Sequence, residues 1–231
     1  FGEWGNIPSL DWSMDGRLVL ANLDRIAYVV DPLTGNIVNY FYIDNFATRI
    51  SSVRSVAFSP DGNNLAVGTS DGVVALWANT VTAPVDNDTP DLLFGNLSDQ
   101  RHSGGADALD WSPTGQYVAS GGQDGTIRVW NASTGEQLQV INLGEDTWVH
   151  SVTWSPNGSR LAYGSPDNII ALFDATLLPD YTPLSTVTPT PTATGLPSIK
   201  SRLYASGYCL RRNDLEMLTR SCRERAWEQG K

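Results

Sequence analysis

The chain has 231 residues, 41% of them apolar, and a formal net charge of −10. That apolar share excludes wholesale disorder and suits one large all-β domain or two small ones. No apolar run reaches the roughly 20 residues of a membrane-spanning helix, and the start at Phe1, without Met, reads as a mature, trimmed or partial N-terminus.

Charge divides the chain. Residues 1–199 hold seven Arg, no Lys and 21 acidic residues, a net −14, whereas residues 200–231 hold eight basic and four acidic residues, a net +4. An acidic body repels phosphate backbones, so nucleic acid is not expected as a partner. The basic tail reads as a solvated helix face, or as a surface suited to an acidic neighbour.

Along the chain one phrase recurs four times: Asp11-Trp12-Ser13-Met14-Asp15-Gly16, Ala57-Phe58-Ser59-Pro60-Asp61-Gly62, Asp110-Trp111-Ser112-Pro113-Thr114-Gly115 and Thr153-Trp154-Ser155-Pro156-Asn157-Gly158. An aromatic residue ends a strand, Pro suits the second position of the tight turn that follows, and Gly supplies a positive φ. A hairpin phrase comes next in each unit. It runs from Arg17 to Val30, from Asn64 to Trp77, from Tyr117 to Trp130 and from Arg160 to Phe173. Each pairs a small-residue strand with an apolar-alternating one across an Asp-Gly-type turn. The turn aspartates Asp24, Asp71, Asp124 and Asp167 are 47, 53 and 43 residues apart, and the longest interval carries an insertion at Val81–Pro90.

These segments, with Ser-Gly-Gly-Gln-Asp-Gly-Thr-Ile-Arg-Val-Trp-Asn at 120–131, resemble WD-repeat β-propellers over about residues 4–175. The resemblance implies an all-β fold of four-stranded antiparallel blades, strands a to d. The expected blades are 4–46, 47–98, 99–143 and 144–180, with strand d at Ile37–Ile43, Asp91–Leu97 and Gln137–Asn142. The family's structural tetrad of His, Ser, Asp and Trp maps onto His102, Ser120, Asp124 and Trp130; the other units hold Leu20, Val67 and Tyr163 at the Ser position. Such a network satisfies buried polar groups and locks the b–c turn. It accounts for His102 without catalysis.

Four blades are fewer than the seven or eight with which relatives close, and the prolines at 179 and 183 cut any fourth strand of the last unit. Three completions are open: blades outside this sequence, favoured by the start at Phe1; an eight-bladed ring shared by two chains; or an arc completed by a partner. Thr182–Gly195 alternates Thr and Pro, an extended spacer within a linker at 181–196. Such tracts read as stalks or spacers of exported proteins, with a plain interdomain linker as the rival, which gives the expectation of an extracellular or cell-surface protein and a cytoplasmic one as the alternative; the composition is also similar to that of surface proteins of filamentous bacteria. Residues 197–231 read as a helical hairpin. A Cys209–Cys222 disulfide would stabilise it by about 3 kcal/mol on the loop-entropy argument; two buried thiols packed between the helices are the equal alternative.

No phosphate loop, His-Glu-x-x-His or Cys-x-x-Cys motif is present, so no cofactor, metal or catalytic residue is assigned. The acidic loop at Asp86–Asp91 fails the Ca²⁺-loop spacing and reads as solvated. Trp12, Trp77, Trp111, Trp130 and Trp154 are expected in the core. Trp4, Trp148 and His150, near the starts of strand a, are the candidate interface anchors, with core packing as the rival for Trp148. The function expected is protein–protein interaction or structural assembly, without catalysis. A sensory or regulatory propeller domain of a larger signalling protein is the alternative, and a propeller enzyme a more remote one.

Overall fold

The computed structural model describes residues 6–23, 25–43, 51–78, 80, 89–94, 100–144, 147–165, 170–182 and 184. They form four antiparallel sheets in chain order. Blade 1 is β1 (Leu10–Trp12), β2 (Leu18–Asn22), β3 (Ile26–Val30) and β4 (Ile37–Tyr42). Blade 2 is β5 (Val53–Phe58), β6 (Leu65–Thr69), β7 (Val74–Trp77) and β8 (Leu92–Phe94). Blade 3 is β9 (Ala106–Trp111), β10 (Tyr117–Gly122), β11 (Thr126–Asn131) and β12 (Gln137–Asn142). Blade 4 has three described strands, β13 (Ser151–Trp154), β14 (Arg160–Gly164) and β15 (Ile170–Asp174).

The recurrent phrase makes the same turn each time. Gly16, Gly62, Gly115 and Gly158 take φ between 71° and 86°, a region closed to most side chains. The serine hydroxyl accepts the backbone N–H that opens the second strand: Arg17 N to Ser13 Oγ at 2.9 Å, Asn64 N to Ser59 Oγ at 2.9 Å, Tyr117 N to Ser112 Oγ at 3.0 Å and Arg160 N to Ser155 Oγ at 2.9 Å. Ser59, Ser112 and Ser155 are therefore turn residues, as their place in the repeat implied.

Both faces of a blade are apolar, so each must be covered. The back of blade 1 (Val19, Ala21, Ala27, Val29) packs on the front of blade 2 (Phe58, Leu65, Val67, Trp77). The back of blade 2 (Ala57, Ala66, Val74, Leu76) meets Trp111, Val118 and Trp130 of blade 3. The back of blade 3 (Ala108, Ala119, Ile127, Val129) meets Val152, Trp154 and Leu161 of blade 4. Small residues on one face leave room for large rings on the other. Rings also pair across the seams: Phe41 with Trp77, Phe94 with Trp130 and Tyr117 with Trp154, at 5.5, 5.8 and 6.0 Å between centroids.

Hydrogen bonds stitch the innermost strands of successive blades. Phe58 N donates to Asp11 Oδ2 at 2.7 Å and Trp154 N to Asp110 Oδ2 at 2.6 Å. Trp111 Nε1 donates to the Ala57 carbonyl at 3.0 Å, and the Arg17 guanidinium lies 5.4 Å from the Phe58 ring centroid. Burial pushes both the Asp11 and the Asp110 carboxyl up, partly offset by the N–H groups they accept.

The strand after β15 is replaced by a short 3₁₀ turn at Ala175–Leu177, capped by Asp174, whose Oδ1 accepts Thr176 N at 3.1 Å. Ala175 and Leu178 are buried in the seam between blades 3 and 4, and Tyr117 Oη donates to the Pro179 carbonyl at 2.5 Å. Strand d of blade 2 is Leu92–Phe94 among the described residues; 95–97 of the expected strand lie outside them.

Trp12 departs from its expected place in the core. It is 56% exposed, whereas its counterparts Phe58, Trp111 and Trp154 are 5–6% exposed. The repeat fixes the direction of the side chain, but burial comes from the preceding blade, and no described blade precedes the first. Leu10 and Leu172, on the two outermost faces, are also more than half exposed.

Replacing Trp111 with Ala should destabilise the fold by roughly 3–5 kcal/mol, and Trp12→Ala by less than about 1 kcal/mol. Urea denaturation of the two variants measures the difference. Equal losses would mean that Trp12 is covered in solution.

Candidate binding face

The b–c turn of blade 3 is held by a closed polar network. His102 Nε2 meets Ser120 Oγ at 2.8 Å, and Trp130 Nε1 donates to the same hydroxyl at 2.9 Å. His102 Nδ1 meets Asp124 Oδ1 at 3.0 Å. Asp124 also accepts Thr126 N at 3.1 Å, Thr126 Oγ1 at 2.8 Å and Ser103 N at 3.0 Å. Burial would raise the Asp124 carboxyl, but the His102 hydrogen bond and charge, with Thr126 and the Ser103 N–H, outweigh it and hold the carboxyl well below the usual range. Each of the four tetrad side chains is thus spent on another, and His102 is buried with both ring nitrogens engaged.

Blade 2 has a lesser version. Thr69 Oγ1 donates to Asp71 Oδ1 at 2.5 Å, Val67 offers no hydroxyl, and Asp71 Oδ2 is buried without a partner among the described residues. Asp24 and Asp167, the corresponding turn residues of blades 1 and 4, lie outside the described residues. After Asp71 and Asp124 the next residue is glycine, as contact with the following blade requires. A Cβ on Gly72 (φ 84°) would strike the His102 carbonyl, and one on Gly125 (φ 68°) the Gly144 carbonyl.

That contact lays the loops entering blades 3 and 4 over the b–c turns of blades 2 and 3. Val149 N donates to the Gly122 carbonyl at 3.1 Å, which leaves Trp148 and His150 on the rim of this face. Trp148 is 48% exposed and His150 is exposed, with ring centroids 5.8 Å apart. Trp4, Cys209, Cys222, the tail at 197–231 and most of the 181–196 linker lie outside the described residues, as do Asp86–Asp88 of the acidic loop. Asp91, at the end of that loop, accepts Ala78 N at 2.7 Å. Among the described residues no group of three or more metal-ligating side chains occurs, and no helix is long and apolar enough to cross a membrane.

The register places two polar residues on the same rim that the repeat phrases do not single out. The β5–β6 ladder skips Arg54 between Val53 and Ser55, and the β9–β10 ladder skips Asp107 between Ala106 and Ala108. Their only signal in the sequence is a charged residue between two small or β-branched ones ahead of strand a, a pattern shared with Val149-His150-Ser151.

Blade architecture, turn phrases and tetrad together define a β-propeller built from WD-type blades. Residues 46–78, 97–131 and 135–174 match the family described as WD domain, G-beta repeat. It is 28% identical over 94 residues to WD repeat-containing protein 1 of Gallus gallus, covering 41% of this chain and 14% of that protein. It is 49% identical over 51 residues to ribosome biogenesis protein erb1 of Emericella nidulans, covering 22% and 6%. It is 27% identical to Cell division cycle 20.1, cofactor of APC complex, of Arabidopsis thaliana, covering 54% of this chain and 33% of that protein. The chain spans at most a third of the length of these relatives. All three are eukaryotic and lend no support to a bacterial source. Blade 1 precedes the matched stretches, and its sheet adds a fourth unit to the three matched.

The tetrad gives a pH test. Asp124 is depressed in the fold, so its contribution is present above the unfolded carboxylate value of about 4 and is lost as pH falls toward the folded value. Asp124→Asn should cost roughly 2–3 kcal/mol at pH 7, and the gap to the parent protein should narrow below about pH 4. Urea midpoints of both proteins between pH 7 and pH 3 check this; a gap independent of pH would contradict it.

Proposed function

We propose that this chain is a non-catalytic docking module that takes a protein partner on the face carrying the b–c turns and the loops entering each blade. The observation that carries the reading is Trp148. It is a large ring, half exposed beside His150, where no blade seam needs it. Exposed aromatic residues bordered by polar groups are the usual anchors of protein interfaces. The only buried histidine among the described residues is consumed by the tetrad, so this reading assigns no general base. One relative is by name a cofactor of the APC complex and another a ribosome biogenesis protein, names that fit an assembly role. A regulatory propeller domain within a larger protein is the second form of the same proposal, supported by the small share of each relative that the chain covers.

Completion of the ring belongs to this proposal too. The exposure of Trp12 against its buried counterparts favours a further blade over the front of blade 1, from residues outside this sequence or from a second chain. Export is proposed on composition alone, from the Thr/Pro spacer at 182–195 and the Cys209–Cys222 pair.

The test is capture of binding proteins on the immobilised chain. Trp148→Ala with His150→Ala should reduce the captured partner at least tenfold. Met14→Ser with Leu33→Ser, on turns of the opposite face where both side chains are more than 80% exposed, should leave it unchanged. The reverse pattern would move the docking site to the other face.

A further inference from the structure

Asn87, Asn96, Asn131 and Asn157 each stand two residues before a serine or threonine, with no proline between. This triplet is the acceptor of N-linked oligosaccharide in exported chains. Asn87 and Asn96 lie outside the described residues. Asn131 ends β11 and opens the c–d turn of blade 3, and Asn157 lies in the turn that follows β13 of blade 4. Trp148 and His150 precede β13, so both turns sit at the end of the blades opposite the docking rim.

Each turn uses only the oxygen of its asparagine. Asn131 Oδ1 accepts Ser133 N at 2.9 Å, Ser133 Oγ at 2.8 Å and Thr134 N at 3.2 Å. Asn157 Oδ1 accepts Ser155 Oγ at 2.8 Å, Ser159 N at 3.1 Å and Ser159 Oγ at 2.9 Å. Neither Nδ2 makes a hydrogen bond among the described residues. Aspartate serves the same turns in other blades. Asp31 accepts Leu33 N at 2.8 Å and Thr34 Oγ1 at 3.0 Å in the c–d turn of blade 1, and Asp61 accepts Asn63 N at 3.0 Å in the a–b turn of blade 2. The turns therefore need a side-chain oxygen at 131 and 157, as Asx turns do, and give the amide nitrogen no task.

We propose that Asn131 and Asn157 carry N-linked oligosaccharide. The proposal rests on the export reading above and adds to it a modification and its sites. The donor class is an oligosaccharide joined through pyrophosphate to a polyprenyl lipid. Asn Nδ2 bonds to C1 of the first sugar, and the bond from C1 to the pyrophosphate oxygen breaks. The lipid pyrophosphate leaves with that electron pair, and one amide proton is released. Nδ2 keeps its other hydrogen and Oδ1 is untouched, so the turn hydrogen bonds survive. Asn131 also borders a hollow of about 350 Å³. Leu138 and Pro179 give it apolar surface and Gln116 and Asp180 polar surface, a mixture that suits the carbon face and the hydroxyls of a sugar ring. Glycans at these two positions cover the ends of blades 3 and 4 away from Trp148 and leave the rim open.

The experiment takes the protein from its own cells and from their medium. Each sample is treated with peptide N-glycosidase in heavy-oxygen water, and its peptides are measured by mass spectrometry. The enzyme converts a glycosylated asparagine to aspartate and labels it with heavy oxygen. Asn131 and Asn157 should both be labelled; a sample without enzyme corrects for spontaneous loss of ammonia at Asn157-Gly158. Absence of the label at either position overturns its assignment. Unlabelled protein recovered from the medium would overturn the glycans and leave export standing, whereas unlabelled protein confined to the cells would remove both. The spare amide is checked on unglycosylated chain produced in bacteria. There Asn131→Asp and Asn157→Asp should each keep the parent circular-dichroism melt; a lowered melt would assign Nδ2 a task in the fold and overturn the argument.

Discussion

Every blade of this protein has two apolar faces and no means of covering either by itself. An isolated four-stranded sheet of this kind would leave Val19, Phe41 and Tyr28 on opposite sides of one thin layer. Stacking solves this by setting a face of small residues against a face of rings, seam after seam. Hydrophobic burial at roughly 25 cal/mol per Å² dominates each seam. The strand-a carboxylates then set the registration between sheets, because Asp11 and Asp110 each accept an N–H from the next blade. These carboxyls are raised by burial, so their ionised form is held at some cost. That cost is consistent with a role in alignment rather than in net stability.

The rim follows from the same constraint. Stacking brings the starts of the inner strands together and lays the loops entering blades 3 and 4 on the preceding b–c turns. The tetrad consumes the polar groups of blade 3 internally, with His102 and Asp124 both saturated. Trp148 and His150 are not consumed in this way. A scaffold that satisfies its own polar groups in the turns and leaves a short run of dissimilar groups on one face has the form of a recognition surface on a rigid support. No covalent step is needed for such a surface to act.

The blades were legible in the sequence because their signals are local. The Ser-x-x-Gly turn, the hairpin turn with its aspartate and the small-residue strand each carry their own backbone chemistry, so four copies align by eye. The tetrad was legible for the same reason once His102 was placed against Ser120, Asp124 and Trp130. Trp12 was misplaced because its burial depends on a neighbouring sheet, which the repeat phrase does not encode. Trp148 was undecided on similar grounds: a ring near the start of a strand serves a seam or a surface according to where the incoming loop settles. Arg54 and Asp107 went unseen because their position depends on one skipped rung of a ladder, and single-residue register leaves almost no trace in a pattern of apolar and polar residues.

Lateral stacking as the source of stability is tested most directly by amide hydrogen exchange on the native chain. Blades 2 and 3 are covered on both sides, so the central strands β6 and β10 should exchange slowest. The outer blades should open first, with β15 and β1 exchanging at least tenfold faster than β10. A protection pattern in which β1 and β15 match β10 would contradict the account, because blades held only from one side would then be as stable as blades held from both.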